Sequence, residues 1–143
     1  MPASVKFLIG LAAALLMGWV HHGPMGNGEA LIDGLEAQAR GAVAAGEVAG
    51  VDVRLGRDPL SRTATLSGPA NDFQRDGMGE FPGLNDRVGD IEGISSTRWA
   101  DEPATGTVVP LLAETLALIL LAYLAGVGVA WPLFGRRRKE SYL

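Results

Sequence analysis

Cysteine is absent from this 143-residue chain, and histidine occurs only as the adjacent pair His21-His22. Without cysteine there are no disulfides, no thiol chemistry and no thiolate metal ligands. Two neighbouring histidines do not project from a helix as a pair at i and i+4 would, so we expect an interfacial turn here rather than a metal site. Since the rest of the chain has no histidine, no serine has a histidine base for triad hydrolysis. We therefore predict no catalytic residue, cofactor site or metal site.

Charge is missing over one long stretch near the C-terminus. From Thr115 to Gly135 the chain runs 21 residues without a charge. As a helix, at ~1.5 Å per residue, this run would be about 31 Å long, close to the hydrocarbon thickness of a bilayer. The sequence therefore predicts a transmembrane helix over residues 108–135. Four basic residues follow it: Arg136, Arg137, Arg138 and Lys139. A basic cluster after an apolar span marks the cytoplasmic side, which predicts a basic cytoplasmic tail over residues 136–143.

The N-terminus, residues 1–24, has a second apolar run. Lys6 is followed by apolar or small residues as far as Val20. This pattern is typical of a cleaved signal peptide or of a retained signal-anchor helix. No clean small-x-small cleavage site lies near the end of the run, and Trp19 is a residue type that settles at a membrane interface. Both alternatives export the middle of the chain.

The middle of the chain is acidic. Between Asn27 and Thr107 there are seven arginines and fourteen Asp or Glu residues, a net charge of 7 − 14 = −7. Such a region would repel nucleic acid and anionic headgroups, so nucleic acid is not an expected partner. With the basic tail on the cytoplasmic side, the charge pattern predicts a protein of the inner (cytoplasmic) membrane whose main domain is exported.

The exported region reads as a small α+β domain with the order α-β-β-α-β. Its first helix places Leu35 and Ala39 on an apolar face, with Asn27 as the expected N-cap and Glu29 in the first turn. The predicted elements are a helix over residues 28–47, strands over 51–55 and 62–67, a helical stretch from 71 that glycine and proline interrupt between 77 and 83, its resumption over 84–88, and a last strand over 94–99.

These residues resemble the BON domain family of bacterial envelope proteins. The resemblance rests on Gly50-Val51-Asp52-Val53, on Thr63-Ala64-Thr65-Leu66-Ser67-Gly68 followed by Asn71-Asp72-Phe73-Gln74-Arg75, and on Asp90-Ile91-Glu92-Gly93-Ile94. The stretch between 77 and 83 departs from the family, which usually has a continuous helix there. The resemblance implies that residues 27–103 form a non-catalytic periplasmic module associated with binding to membranes, phospholipid or other envelope components.

Small residues form a stripe on the predicted transmembrane helix. Ala122, Gly126 and Ala130 stand four apart, a spacing that lets another helix approach closely, either within the chain or from a partner. The alternative is ordinary apolar filler, because alanine and glycine are common throughout this chain. Integral membrane subunits and the lipid bilayer are thus the expected partners.

Single residues supply the remaining candidate sites. Glu114 at the outer end of the span is expected to reach interfacial water or to contact a cation of a partner. Trp131 should lie at the cytoplasmic edge of the bilayer. Trp99 is expected to close the core, with contact to a partner or lipid as the alternative. The carboxylates around Asp86 and Asp90 are expected to form a solvated surface rather than a calcium site.

Two functions from different classes fit this sequence. In the first, the chain is a non-catalytic accessory or scaffolding subunit of a larger membrane complex, which packs its helix against partner helices and caps the periplasmic face with its domain. In the second, it is a free-standing envelope module that binds lipid or another envelope component. The first is the main prediction.

Overall fold

The computed structural model describes residues 2–103 and 107–134 and shows a mixed α+β protein. The two terminal helices belong to one compact unit, and Gly26–Leu111 form a second. The helices are α1 (Ala3–His22), α2 (Asn27–Ala45), α3 (Asp72–Asp76), α4 (Leu84–Gly89) and α5 (Leu111–Phe134). The strands are β1 (Asp52–Arg57), β2 (Leu60–Ser67), β3 (Gly77–Met78), β4 (Phe81–Pro82) and β5 (Ser96–Trp99).

The terminal unit is built from two long apolar helices. α1 has 20 residues and α5 has 24. Both are long and apolar enough to cross a membrane. α5 begins directly after Pro110, where a missing N–H costs the helix nothing. Pro132 lies inside α5, two residues before Phe134, which is the last described residue of the chain.

In the second unit, α2 is amphipathic, as its sequence predicts. Glu29 lies in the first turn, where a carboxylate suits the helix dipole, and Gly46 ends the helix. The prediction of Asn27 as N-cap is wrong, because Asn27 is already the first helical residue and Gly26 precedes it as the cap. Gly26 has a φ of 72°, a left-handed conformation that glycine adopts freely, so the chain turns into the helix one residue earlier.

The main sheet has three strands in the order β1-β2-β5. β1 and β2 pair antiparallel, whereas β5 pairs parallel to β2 after the crossover through α3 and α4. Ala64 and Leu66 of β2 point into the core, as predicted from alternation. One face of the sheet packs against α2 and α4, and these elements enclose one core: Ile32, Leu35, Ala39, Val43, Val53, Leu55, Ala64, Leu66, Leu84, Val88 and Trp99.

The predicted interruption between residues 77 and 83 is an ordered β-hairpin. Asn71 caps α3, accepting a hydrogen bond from the backbone N–H of Gln74. The chain then reverses at Gly77, whose φ is 72° and where a Cβ would lie only 2.5 Å from the backbone nitrogen of Gly83. Glycine is therefore required at this position. β3 and β4 pair antiparallel, and the chain becomes helical again with α4, which begins at Leu84 as predicted.

Candidate functional site

Within the terminal unit, α1 packs antiparallel against α5 through glycines on α1. A Cβ on Gly18 would overlap the side chain of Ile119, and one on Gly10 would meet the ring of Tyr123. The Tyr123 hydroxyl donates a 2.7 Å hydrogen bond to the carbonyl oxygen of Phe7, and the two rings lie 5.3 Å apart. Small residues thus allow close approach here, and the polar tip of the tyrosine has a partner inside an apolar surface.

The predicted stripe on α5 takes no comparable part in this packing. Ala122 and Gly126 are exposed, and within residues 2–103 and 107–134 nothing lies within 4 Å of a Cβ built on Gly126. Ala130 is half-buried. The close approach that the stripe predicts within the chain is instead made by Gly10 and Gly18. Sequence reasoning missed these residues, although Gly10 and Gly18, with an alanine midway between them, repeat the same four-residue spacing.

The other predicted residues of the terminal unit lie near the ends of α5. Glu114 is half-buried in the first turn of the helix. Trp131 is 76 % exposed and precedes Pro132 in the last turn. The four basic residues that were predicted to set the topology lie outside the described part of the chain: Arg136, Arg137, Arg138 and Lys139. Contact of Glu114 with a partner stays a prediction.

In the second unit, Glu36 is a buried carboxylate that sequence reasoning did not single out. It lies on α2, is 6 % exposed, and accepts a 3.1 Å hydrogen bond from the backbone N–H of Leu55. Arg57 donates to the same carboxylate oxygen over 3.2 Å, and Arg40 donates to the other oxygen. Arg57 also pairs with the exposed Asp33 at 2.6 Å. These contacts fasten α2 to the outer edge of β1.

The electrostatics of Glu36 follow from these contacts. Burial by itself raises the pKa of this carboxyl group, because it disfavours the charged form. The hydrogen bonds from Leu55 and Arg57 and the charges of Arg57 and Arg40 outweigh burial, so the pKa of Glu36 lies below its ordinary value. The group is therefore an anion at neutral pH and serves as the acceptor for an edge-strand amide.

A second ion pair, between Arg75 and Asp101, lies beside Trp99. Both Nη atoms of Arg75 donate to Asp101, over 3.0 and 2.7 Å, and its guanidinium lies 4.2 Å from the centre of the indole ring. The hydrogen bond from Arg75 lowers the pKa of Asp101. Trp99 is 1 % exposed, which confirms the prediction that it closes the core. This cluster stabilises the end of β5.

Residues 2–103 and 107–134 contain no group of three or more histidine, aspartate or glutamate side chains that could hold a metal ion. Asp86 and Asp90 are both exposed, and Asp86 accepts a hydrogen bond from the backbone N–H of Gly83 at the start of α4. Asp86 thus acts as a helix cap in the solvated surface that the sequence predicts.

The β3–β4 hairpin and the preceding helix α3 expose three large apolar side chains. Phe73, Met78 and Phe81 are 51 %, 71 % and 69 % exposed. In the sequence, Met78-Gly79-Glu80-Phe81 lies between Gly77 and the pair Pro82-Gly83, and this run is too short for a strand pattern to be recognised. Comparison with protein-family models, with curated proteins and with solved structures found no match to this chain.

Proposed function

We propose that this chain is a non-catalytic accessory or scaffolding subunit of a larger bacterial inner-membrane complex. α1 and α5 cross the bilayer as an antiparallel helical pair, so that both chain ends lie in the cytoplasm. The BON-like domain caps the periplasmic face of the complex. Gly26–Leu111 has the order α2-β1-β2-α3-β3-β4-α4-β5. With α3 and α4 taken as one helix that the hairpin interrupts, this order is α-β-β-α-β, and it is the ground on which we propose a BON-like domain.

The open stripe on α5 is the observation that carries this proposal. α1 already uses its own glycines to pack against Ile119 and Tyr123, whereas no atom of the described residues lies within 4 Å of where a Cβ on Gly126 would stand. In a bilayer, close helix contact depends on such small residues because lipid provides no hydrophobic drive for association. Ala122 and Gly126 therefore offer a position for a helix of another subunit.

The test is co-purification of the full chain from membranes in mild detergent. We expect other subunits to elute with it in a fixed ratio. Gly126→Leu should strip these subunits away, because the leucine fills the position that the partner helix occupies. Gly128→Leu is the matched control, since Gly128 is also open but lies on a different face of α5.

Elution of the unaltered chain alone and monodisperse would contradict the proposal. Equal loss of subunits in Gly126→Leu and Gly128→Leu would show that the stripe is not the contact. The second candidate, a free-standing envelope module, is favoured by one observation, the exposure of Phe81 and Met78 on the hairpin. It predicts that the chain remains monodisperse while still binding an envelope component.

A further inference from the structure

Three large apolar side chains protrude beside one another on the second unit. Met78 and Phe81 are directly paired across the β3–β4 hairpin, so their side chains lie on the same face of it. Both are about 70 % exposed, at 71 % and 69 %. Phe73, at the start of α3, adds a second aromatic ring that is 51 % exposed. An exposed cluster of this kind on a small domain marks an interaction site.

A groove runs beside the cluster. It has a volume of about 190 Å³, and its lining includes Phe73, Phe81 and Pro82 together with Val48 and Leu84. Leu84 belongs to the core, whereas the rings of Phe73 and Phe81 stand largely in solvent. The groove therefore offers an apolar floor continuous with the core, and it suits one inserted apolar side chain of a partner.

Negative charge surrounds the apolar cluster. Asp76 precedes β3, Glu80 lies in the hairpin loop between Met78 and Phe81, and Asp86 lies in the first turn of α4. All three are exposed, and within the described residues none of them is in an ion pair of 4.0 Å or less.

The nearby cations do not cancel this charge. Arg75 is already paired with Asp101 through both of its Nη atoms. Arg87 lines the groove, and its Nε donates to the carbonyl oxygen of Pro82 over 3.4 Å. Arg87 keeps its positive charge, because a carbonyl oxygen is neutral. The three carboxylates and Arg87 together give the rim a net charge of −3 + 1 = −2, which disfavours anionic lipid headgroups and favours a partner that carries positive charge.

The hairpin surface consists of the apolar side chains of Phe73, Met78 and Phe81 and the carboxylates of Asp76, Glu80 and Asp86. We propose that the hairpin surface docks an exported protein segment whose apolar or aromatic side chains are flanked by lysine or arginine. The inference rests on the proposed function, because it names the chemistry by which the domain would contact a neighbouring subunit. The apolar anchors would supply the affinity, and the acidic rim would select the partner.

The test uses the full chain in phosphatidylcholine nanodiscs and two short fluorescein-labelled peptides. Each peptide has a Trp-Leu-Trp centre; lysines flank it in one and glutamates in the other. Fluorescence anisotropy, with empty nanodiscs subtracted, gives the dissociation constant. We expect the lysine-flanked peptide to bind at least about tenfold more tightly, a difference of about 1.4 kcal/mol.

Three variants locate the binding on the chain. Phe81→Ser should weaken binding of the lysine-flanked peptide about tenfold or more, because it removes a central anchor. Glu80→Lys should weaken binding of the lysine-flanked peptide and strengthen binding of the glutamate-flanked peptide, because it reverses one charge of the rim. Leu31→Ser is the matched control, because Leu31 is a 47 % exposed apolar residue on α2 outside the hairpin surface, and it should change neither constant. All the substituted side chains are exposed, so each variant should fold.

Equal binding of the two peptides would overturn the proposal, and so would a Phe81→Ser variant that binds like the unaltered chain. A further arm tests lipid as the occupant. Because the chain has no cysteine, Met78→Cys can carry a single environment-sensitive dye. Quenching of this dye by nitroxide-labelled lipid in the absence of peptide would place the hairpin in the bilayer and overturn the proposal.

Failure of the hairpin proposal can be distinguished from failure of the subunit proposal. If the peptide results hold but no subunit co-elutes from membranes, the subunit proposal falls and the hairpin surface stands as the site of a separate binding module. If subunits co-elute and depend on Gly126 but the peptides do not discriminate, the hairpin proposal falls alone.

Discussion

Replacing Glu36 by alanine should destabilise the second unit more than any surface charge substitution nearby. The change removes the acceptor of the Leu55 N–H, and Leu55 is only 3 % exposed. A buried donor left without a partner costs about 1–3 kcal/mol, and Arg57 loses one of its two carboxylate partners as well. The expected loss is about 3 kcal/mol.

That loss is large against the stability of a unit of this size. For Gly26–Leu111, stability of about 0.05–0.15 kcal/mol per residue gives roughly 4–13 kcal/mol in total. With a urea dependence of about 1–3 kcal/mol per molar, Glu36→Ala should lower the unfolding midpoint by roughly 1–3 M. The variant should remain folded without denaturant, so the comparison with the unaltered unit can be made.

The assay follows Trp99 fluorescence of the full chain in mild detergent. Trp19 and Trp131 are replaced by phenylalanine, which leaves Trp99 as the only tryptophan of the original three. Asp33→Ala is the matched control, because Asp33 also pairs with Arg57 but is exposed. It should cost less than about 1 kcal/mol. Equal midpoint shifts for the two variants would refute the role of Glu36 as the acceptor for the β1 edge.

Three further predictions concern acid, helix packing and capping. The pKa of Glu36 is lower in the folded chain than in the unfolded one, so ionised Glu36 adds to the free energy of unfolding. This stabilisation is complete above the ordinary pKa of about 4.3 and is lost as the pH falls through the lower pKa of the folded chain. Glu36→Gln should therefore flatten this part of an acid unfolding curve. Gly18→Leu should overlap Ile119 and lower the thermal unfolding temperature of the helical pair in detergent, whereas Gly128→Leu should leave it unchanged. Asn71→Ala should cost about 1 kcal/mol in urea unfolding, with faster amide exchange in α3, because the Gln74 N–H loses its cap.

Much of the fold was predictable because its signals are local. The alternation around Ala64 and Leu66 placed β2, and the uncharged run after Thr115 placed most of α5. The cap of α2 was misplaced by one residue because Asn27 has the right chemistry for a cap, but the preceding Gly26 adopts the left-handed turn. The preference of an asparagine side chain for the cap position was thus outweighed by the backbone conformation at Gly26.

Two features of the second unit could not be predicted from a single sequence. The burial of Glu36 depends on Leu55 and Arg57, which belong to a strand about twenty residues further on. The hairpin has strands of only two residues, Gly77–Met78 and Phe81–Pro82, which give no periodic pattern. Both features arise from tertiary pairing, which propensity does not encode.

Cysteine accessibility across the membrane tests the central claim most directly, namely that α1 and α5 anchor the domain on the periplasmic side. Since the chain has no cysteine, Leu31→Cys and Leu143→Cys each introduce a single thiol, and Leu31 is 47 % exposed outside the hairpin surface. In cells with a permeabilised outer membrane, a membrane-impermeant maleimide should label Leu31→Cys and should label Leu143→Cys only after lysis. Labelling of Leu143→Cys in unlysed cells, or release of the protein from washed membranes, would contradict the account.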